Sequence, residues 1–288
     1  MKQPKRILFA LICLGLALSV TVSLHAQSTE DRVRYQKIER SQYTIHTVFV
    51  PQSSNYKVRP AILGDLQPIT AFAGDNVVAA INGGYFDPVN QKTTSFIVQD
   101  SQIVADPRFN ERLVDNPNLK PYLRKIFNRA EFRLYSCRGV TLYDIQPHSA
   151  PIPNDCTIID SLGGGPGLLP ENSSVAEGFI AYKDGEKIRD AIGNDSLNAR
   201  SAVGVTAKGN VILAMVAQKE EQPLNSGISL PKLAQEMSNL GAVKAMNLDG
   251  GSSASLHYAG QEIYGRVDKE GNKIMRPIKS VLQVMEEE

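Results

Sequence analysis

The sequence predicts an α+β protein, a single domain with a mixed, largely antiparallel sheet and packed helices. Three observations carry that expectation. Strand-like runs outnumber helical ones. Several come in pairs separated by turn residues, the pattern of hairpins. One stretch, Leu230 to Leu240, repeats its apolar residues at helical spacing just before another apolar run. A chain of 288 residues can bury a sizeable core as one domain.

The first segment reads as a targeting sequence. Lys2, Lys5 and Arg6 precede an uncharged apolar run, Ile7 to Val22, that ends near Ser23-Leu24-His25-Ala26. The run is shorter than the ~18–20 residues of a membrane-crossing helix. Residues 1–26 therefore read as a signal peptide cleaved after Ala26, with a retained anchor as the alternative. The polar stretch 27–40 reads as a leader, and the domain as 41–288.

Within the domain, Tyr43, Ile45, Thr47 and Phe49 alternate as a strand that Pro51 ends. Val77 to Ile81 is an apolar strand, and Phe96 to Val98 with Ile103-Val104 makes a hairpin. Leu119 to Arg129 is cationic and helical in pattern, inside an insertion between Asp106 and Ala130, and Glu131 to Ser136 returns to a strand. Ala202 to Val216 is the clearest hairpin, with Val203 and Val205 facing Val211, Leu213 and Met215. Leu230, Leu233, Ala234, Met237 and Leu240 then mark a helix, capped by Ser229 ahead of Pro231 and ended by Gly241. That helix leads into the strand before Asp249. Runs at Ala254 to Tyr258, Glu262 to Tyr264 and Lys279 to Val284 complete the sheet.

Removing residues 1–26 takes away three cations and no anion, leaving 28 Lys+Arg against 30 Asp+Glu. No basic surface points to nucleic acid, and none of the chain after the signal points to a membrane. Oligomeric state is not legible. Cys137 and Cys156 are the two cysteines beyond the signal, and in an exported chain such a pair reads as a disulfide. The Pro-rich segment between them looks like an excursion that needs a staple.

Two apolar runs end alike. Val77 to Ile81 is followed by Asn82-Gly83-Gly84-Tyr85-Phe86-Asp87, and Ala245-Met246 by Asn247-Leu248-Asp249-Gly250-Gly251-Ser252-Ser253. Carboxylates, carboxamides and hydroxyls around paired glycines suggest one cleft with two walls. Asp249 and Asp87 are its candidate carboxylates, although Asp87 before Pro88 also suits an ordinary turn. Arg200, at the entry to the best hairpin, could grip a phosphate or carboxylate with its fork, or serve as a structural salt-bridge residue.

Other chemistries fit poorly. Ser252 and Ser253 lack the second glycine of a nucleophile elbow, and the histidines form no metal motif. Gly163-Gly164-Gly165-Pro166-Gly167 lacks nucleotide-loop spacing but could face backbone amides towards an anion. No cofactor is required as far as the sequence shows. A divalent cation between Asp87 and Asp249 is left open.

Taken together, the chain from about Val77 to Val284 resembles the phosphodiester glycosidase family. The resemblance rests on Ile81 to Asp87, on Gly164-Gly165-Pro166-Gly167-Leu168-Leu169, on Arg200-Ser201-Ala202-Val203-Gly204 and on Asn247 to Ser253. These blocks stand in the family's order, with the Gly-x-Ser-Leu-x-x-Leu-Ala run at Gly227 to Ala234. Ser201 departs from the usual Thr, and the Asp106–Arg129 segment reads as an insertion beside the proposed cleft. The resemblance implies an exported hydrolase that cleaves the sugar C1–O bond of a glycosyl 1-phosphodiester. A phosphate monoester leaves as a stable anion, so the paired carboxylates of ordinary glycosidases are not both needed. Asp249 and Arg200 would be catalytic, Arg200 through phosphate contact. Asn82, Gly83, Gly84, Tyr85, Asp87, Gly164, Gly165, Asn247, Gly250, Gly251 and Ser252 would bind substrate, with Gly164 and Gly165 offering amides. The implied setting is the periplasm or the exterior, acting on an envelope or extracellular glycan. A non-catalytic glycan-binding or exopolysaccharide-assembly protein on the same fold is the alternative.

Overall fold

The computed structural model describes residues 32–287. The signal-peptide reading of residues 1–26 lies outside them. The described chain is a β-rich sandwich, which overturns the α+β expectation: strand makes up 46% and helix 12%. Strand pairings between the named elements are all antiparallel, so the sheets are not mixed. Packed helices are reduced to one substantial example, Leu230–Asn239. The cationic insertion holds no long helix: it folds as a 3-10 turn, Lys120–Tyr122, with Pro121 in its first turn, and a single helical turn, Leu123–Ile126.

Three larger sheets enclose one core. The first has six strands, in the order Arg34–Glu39, Thr44–Val50, Val211–Ala217, Arg200–Thr206, Ala242–Asn247 and Gly167–Leu169. The second runs Gln261–Tyr264, Ser255–Tyr258, Val77–Asn82, Ile278–Glu286 and Tyr56–Gln67. The third runs Gln102–Ala105, Ile97–Gln99, Cys156–Gly163, Ala130–Cys137 and Val140–Pro147. Val203, Leu213, Ile81, Leu282, Phe132 and Leu162 bring their inner faces together. Each such side chain contributes about 1.5–3 kcal/mol on burial.

The Val211–Ala217 strand shows how the layers form. Val211, Leu213 and Met215 enter the central core, while Ile212, Ala214 and Val216 point the other way, under Leu230, Leu233 and Met237 of the helix. Both faces are covered, so the strand reads as an unbroken apolar run. Its hairpin pairs Val203 with Leu213 and Val205 with Val211. At the helix start, Ser229 Oγ accepts from the Lys232 N–H, and Gly241 follows the end at φ +94°.

Two local differences stand out. Part of the polar leader, Arg34–Glu39, is an edge strand paired with Thr44–Val50. Its Tyr35 packs on the central core and Ile38 on the helix side, so its polarity is that of an exposed edge. Cys137 and Cys156 are joined, and they stand opposite each other on adjacent strands. The segment between them is no irregular excursion, because it contains the strand Val140–Pro147. No helix among the described residues is long and apolar enough to cross a membrane.

Candidate active site

All four motif blocks meet where the strands of the sheets end. Asn82 finishes the strand Val77–Asn82 and is 1% exposed. Its Oδ1 accepts from Ser201 Oγ at 2.6 Å and from the Ser255 N–H at 3.1 Å, and its Nδ2 donates to the Asp249 carbonyl at 2.6 Å. Tyr85 does the same for the other blocks. Its hydroxyl donates to the Gly165 carbonyl at 2.8 Å and accepts from Asn247 Nδ2 at 2.8 Å. Burial, reinforced by Asp249, pushes the Tyr85 phenol well above its usual range. Asn82, Tyr85 and Asn247 therefore tie the blocks together, and Asn82 and Asn247 are too buried to reach a substrate directly.

The glycines have a different purpose from the one the sequence suggests. The Gly83 N–H donates to the Ser280 carbonyl, Gly164 to Ala130, Gly165 to Asn247 and Gly251 to Ala199. Gly164 and Gly165 thus have no free amide to offer an anion, which overturns that expectation. Their value is close backbone packing: a Cβ on Gly84 would overlap the Gly163 carbonyl, and one on Gly250 would lie 3.0 Å from the Ala199 carbonyl.

Asp249 lies just beyond the strand Ala242–Asn247, partly exposed but walled by protein. Its Oδ1 accepts from the Gly250 N–H at 2.9 Å. Burial pushes the carboxyl up to about 6, against the opposing pull of the Ser253 hydroxyl, the Arg276 charge and the Gly250 N–H. Desolvation wins over three stabilising neighbours, which leaves a carboxylate poised to exchange a proton near neutrality.

Arg200 is not placed for the phosphate contact expected of it. It is 2% exposed. Its guanidinium donates to the carbonyls of Ile192 at 3.0 Å, Gly193 at 2.6 Å, Ser196 at 3.3 Å and Ile228 at 3.4 Å. The fork holds the 192–196 loop instead of a ligand. Asp87 is engaged locally as well. It pairs with Arg112 at 2.8 Å and accepts from the Val89 N–H at 2.8 Å. Burial alone would raise its carboxyl, but these donors hold it below the usual range.

Ser252 is partly exposed, and its Oγ accepts from Arg276 Nη1 at 3.0 Å. The Arg276 guanidinium also lies 5.2 Å from the centre of the Phe86 ring. Sequence reasoning missed Arg276, as it missed Ser201 in a supporting role and Arg266, which donates to Asn198 Oδ1. The Arg276-Pro277 pair before the last strand is the one local signal for it. Glu177 was also missed. It accepts from the Gly167 N–H at 2.8 Å and from Ser173, and burial raises its carboxyl. Among the described residues, no three His, Cys, Asp or Glu side chains gather as a metal ligand set.

A phosphodiester glycosidase family profile matches residues 75–285. Among solved structures, similar folds include the zebrafish N-acetylglucosamine-1-phosphodiester alpha-N-acetylglucosaminidase catalytic domain, auto-inhibited by pro-peptide. It shares 19% identity at a TM-score of 0.63, over 91% of this chain and 86% of that one. A hypothetical protein from Synechocystis shares 18% identity at a TM-score of 0.56, over 88% of this chain. This chain spans 62% of that protein, less than two thirds of its length. A putative exported protein from Burkholderia pseudomallei K96243 shares 17% identity at a TM-score of 0.59, over 84% of this chain and 74% of that one. At these identities the likeness is one of fold. None of the curated proteins matches the sequence.

Proposed function

The chain belongs to the phosphodiester glycosidase family, and from that premise we propose that it hydrolyses the sugar C1–O bond of a glycosyl 1-phosphodiester. The sugar is released and the aglycone keeps a phosphate monoester. The observation that supports this reading is Asp249, a partly exposed carboxylate raised to about 6 at the meeting point of the four blocks. A base with that affinity is ionised at neutral pH yet strong enough to take a proton in the transition state.

In the proposed step, a water oxygen forms a bond to C1 as the C1–O bond breaks. The water proton passes to the Asp249 carboxylate, and the bonding electrons leave with the phosphate oxygen. That oxygen needs little or no protonation, so one carboxylate suffices where ordinary glycosidases use two. The buried ties of Asn82, Tyr85 and Asn247 would hold Asp249 in position while charge develops. Export to the periplasm or exterior, towards an envelope or extracellular glycan, belongs to the same proposal. The residue pattern of 1–26 and the Cys137–Cys156 bond support it, since such bonds persist in oxidising compartments.

The test is incubation of the purified protein with a panel of glycosyl phosphodiesters, following free sugar and newly formed phosphate monoester. Both products should appear together. Release of sugar 1-phosphate would put the broken bond on the phosphorus side and overturn the mechanism. Saturable glycan binding with no cleavage across the panel would favour the non-catalytic binder instead.

A further inference from the structure

Two arginines flank the turn that carries Asp249 without an ion pair to any carboxylate among the described residues. Arg276 Nη1 donates to Ser252 Oγ at 3.0 Å, and Arg266 Nη1 donates to Asn198 Oδ1. That Asn198 oxygen lies within 3.8 Å of where a Cβ on Gly251 would sit. The two guanidinium groups are thus anchored by neutral side chains on and beside the Gly251-Ser252 step. Both are partly exposed. Arg59, Arg108, Arg112 and Arg138 each pair with an aspartate instead.

An unpaired guanidinium held by a neutral oxygen keeps most of its fork free for an anion. Arg276 is further constrained by the Phe86 ring, so less side-chain freedom is lost when a ligand binds. Its charge reaches Asp249 and draws that carboxyl downward against burial. A substrate group held by Arg276 therefore lies within electrostatic reach of the base. Arg200 cannot compete for this role, because its donors face four backbone carbonyls.

We propose that Arg276, with Arg266 on the other flank of the Gly251-Ser252 turn, forms the subsite for the substrate's phosphoryl group. The assignment of the anion as a phosphodiester rests on the glycosidase reading; the anion site itself does not. In the bound state Arg276 faces the non-bridging phosphate oxygens, and the sugar C1 projects towards Asp249. Charge on the departing phosphate rises as C1–O breaks, so Arg276 contributes to rate as well as to affinity.

Binding of inorganic phosphate, followed by calorimetry on the full chain, tests the subsite apart from turnover. Arg276→Gln should weaken phosphate affinity by about tenfold or more, and Arg276→Lys should recover part of the loss, because a point charge lacks the planar fork. Arg266→Gln should cause a smaller loss. Arg200→Lys should lower the melting temperature and leave phosphate affinity within about twofold, since it removes buried carbonyl bonds. On a cleaved glycosyl phosphodiester, Arg276→Gln should raise KM and lower kcat together. Phosphate affinity that is absent in the wild type, or unchanged in folded Arg276→Gln and Arg276→Lys, overturns the subsite even if turnover is found. Phosphate binding that depends on Arg276 without cleavage of any glycosyl phosphodiester keeps the subsite and sinks the glycosidase reading.

Discussion

Asp249 is held at a cost to the fold. Its carboxyl is raised from 3.8 to about 6 by burial, so the folded chain keeps a proton that the unfolded chain has lost between those values. Stability from this group therefore falls as pH climbs from about 4 to about 6, and above that the penalty is constant. A shift of this size corresponds to at most about 3 kcal/mol, less where solvent reaches the carboxylate. Asp249→Asn should consequently melt higher than the wild type at pH 7, with the gain vanishing near pH 4. The same substitution should reduce turnover by orders of magnitude, because an amide cannot accept the water proton. Proposed as the base, Asp249 should also make kcat/KM rise through about pH 6 and level off above it. A rate that falls across that interval would assign Asp249 the role of a proton donor. Thermal melts and pH–rate profiles on one pair of proteins separate the two effects. Arg200 gives the complementary lesson: its residue type suited an anion, but which oxygens it meets depends on a loop eight residues upstream and a turn 28 residues downstream.

The paired glycines show what is legible in a strand end and what is not. Asn82-Gly83-Gly84 and Asn247 to Gly251 are recognisable as special backbone, and both do lie at the candidate site. Their reason for being glycine is invisible in one dimension, because the atoms that exclude a Cβ come from other strands: Ser280 at Gly83, Gly163 at Gly84 and Asn247 at Gly164. Gly84→Ala should therefore act by prying the Val77–Asn82 strand end from the Cys156–Gly163 strand end. The overlap is with a backbone carbonyl, which cannot rotate away. Overpacking of this kind costs about 1–3 kcal/mol or more, and displacing Tyr85 should break its bond to Gly165. A lowered denaturation midpoint together with lost activity is expected, whereas an unchanged midpoint would mean the strand ends can separate freely. Gly260→Ala makes the control for left-handed strain, since at φ +78° no atom lies within 4 Å of its would-be Cβ.

The architecture was legible in its strands and in its one long helix, and misread in its class. Apolar runs on either side of a turn identified the Arg200–Thr206 and Val211–Ala217 hairpin, and the second arm is apolar throughout because each of its faces meets a different core. Composition fails as a guide at Leu119–Arg129, where a helical pattern folds only as a 3-10 turn and one helical turn. It also fails for Arg34–Glu39, an edge strand whose polar residues mimic a leader. The disulfide was legible as a pair, but its place was not. Cys137 and Cys156 close one end of two adjacent strands of the third sheet, and Gly163 and the site lie at the opposite end. Eight residues of strand span on the order of 25 Å, which separates the bond's effect on stability from any effect on chemistry. In the loop-entropy account, a closed loop of about twenty residues is worth on the order of 3 kcal/mol. For a domain of this size that corresponds to a melting shift of about 6–12 °C. The Cys137→Ser, Cys156→Ser double variant should melt lower by roughly that amount, while turnover at 25 °C stays within about twofold. Peptide mapping without reduction should recover one cross-linked species from oxidatively produced protein. Two alkylatable thiols in that material, or a double variant that melts like the wild type, would show that the bond does not hold the third sheet together.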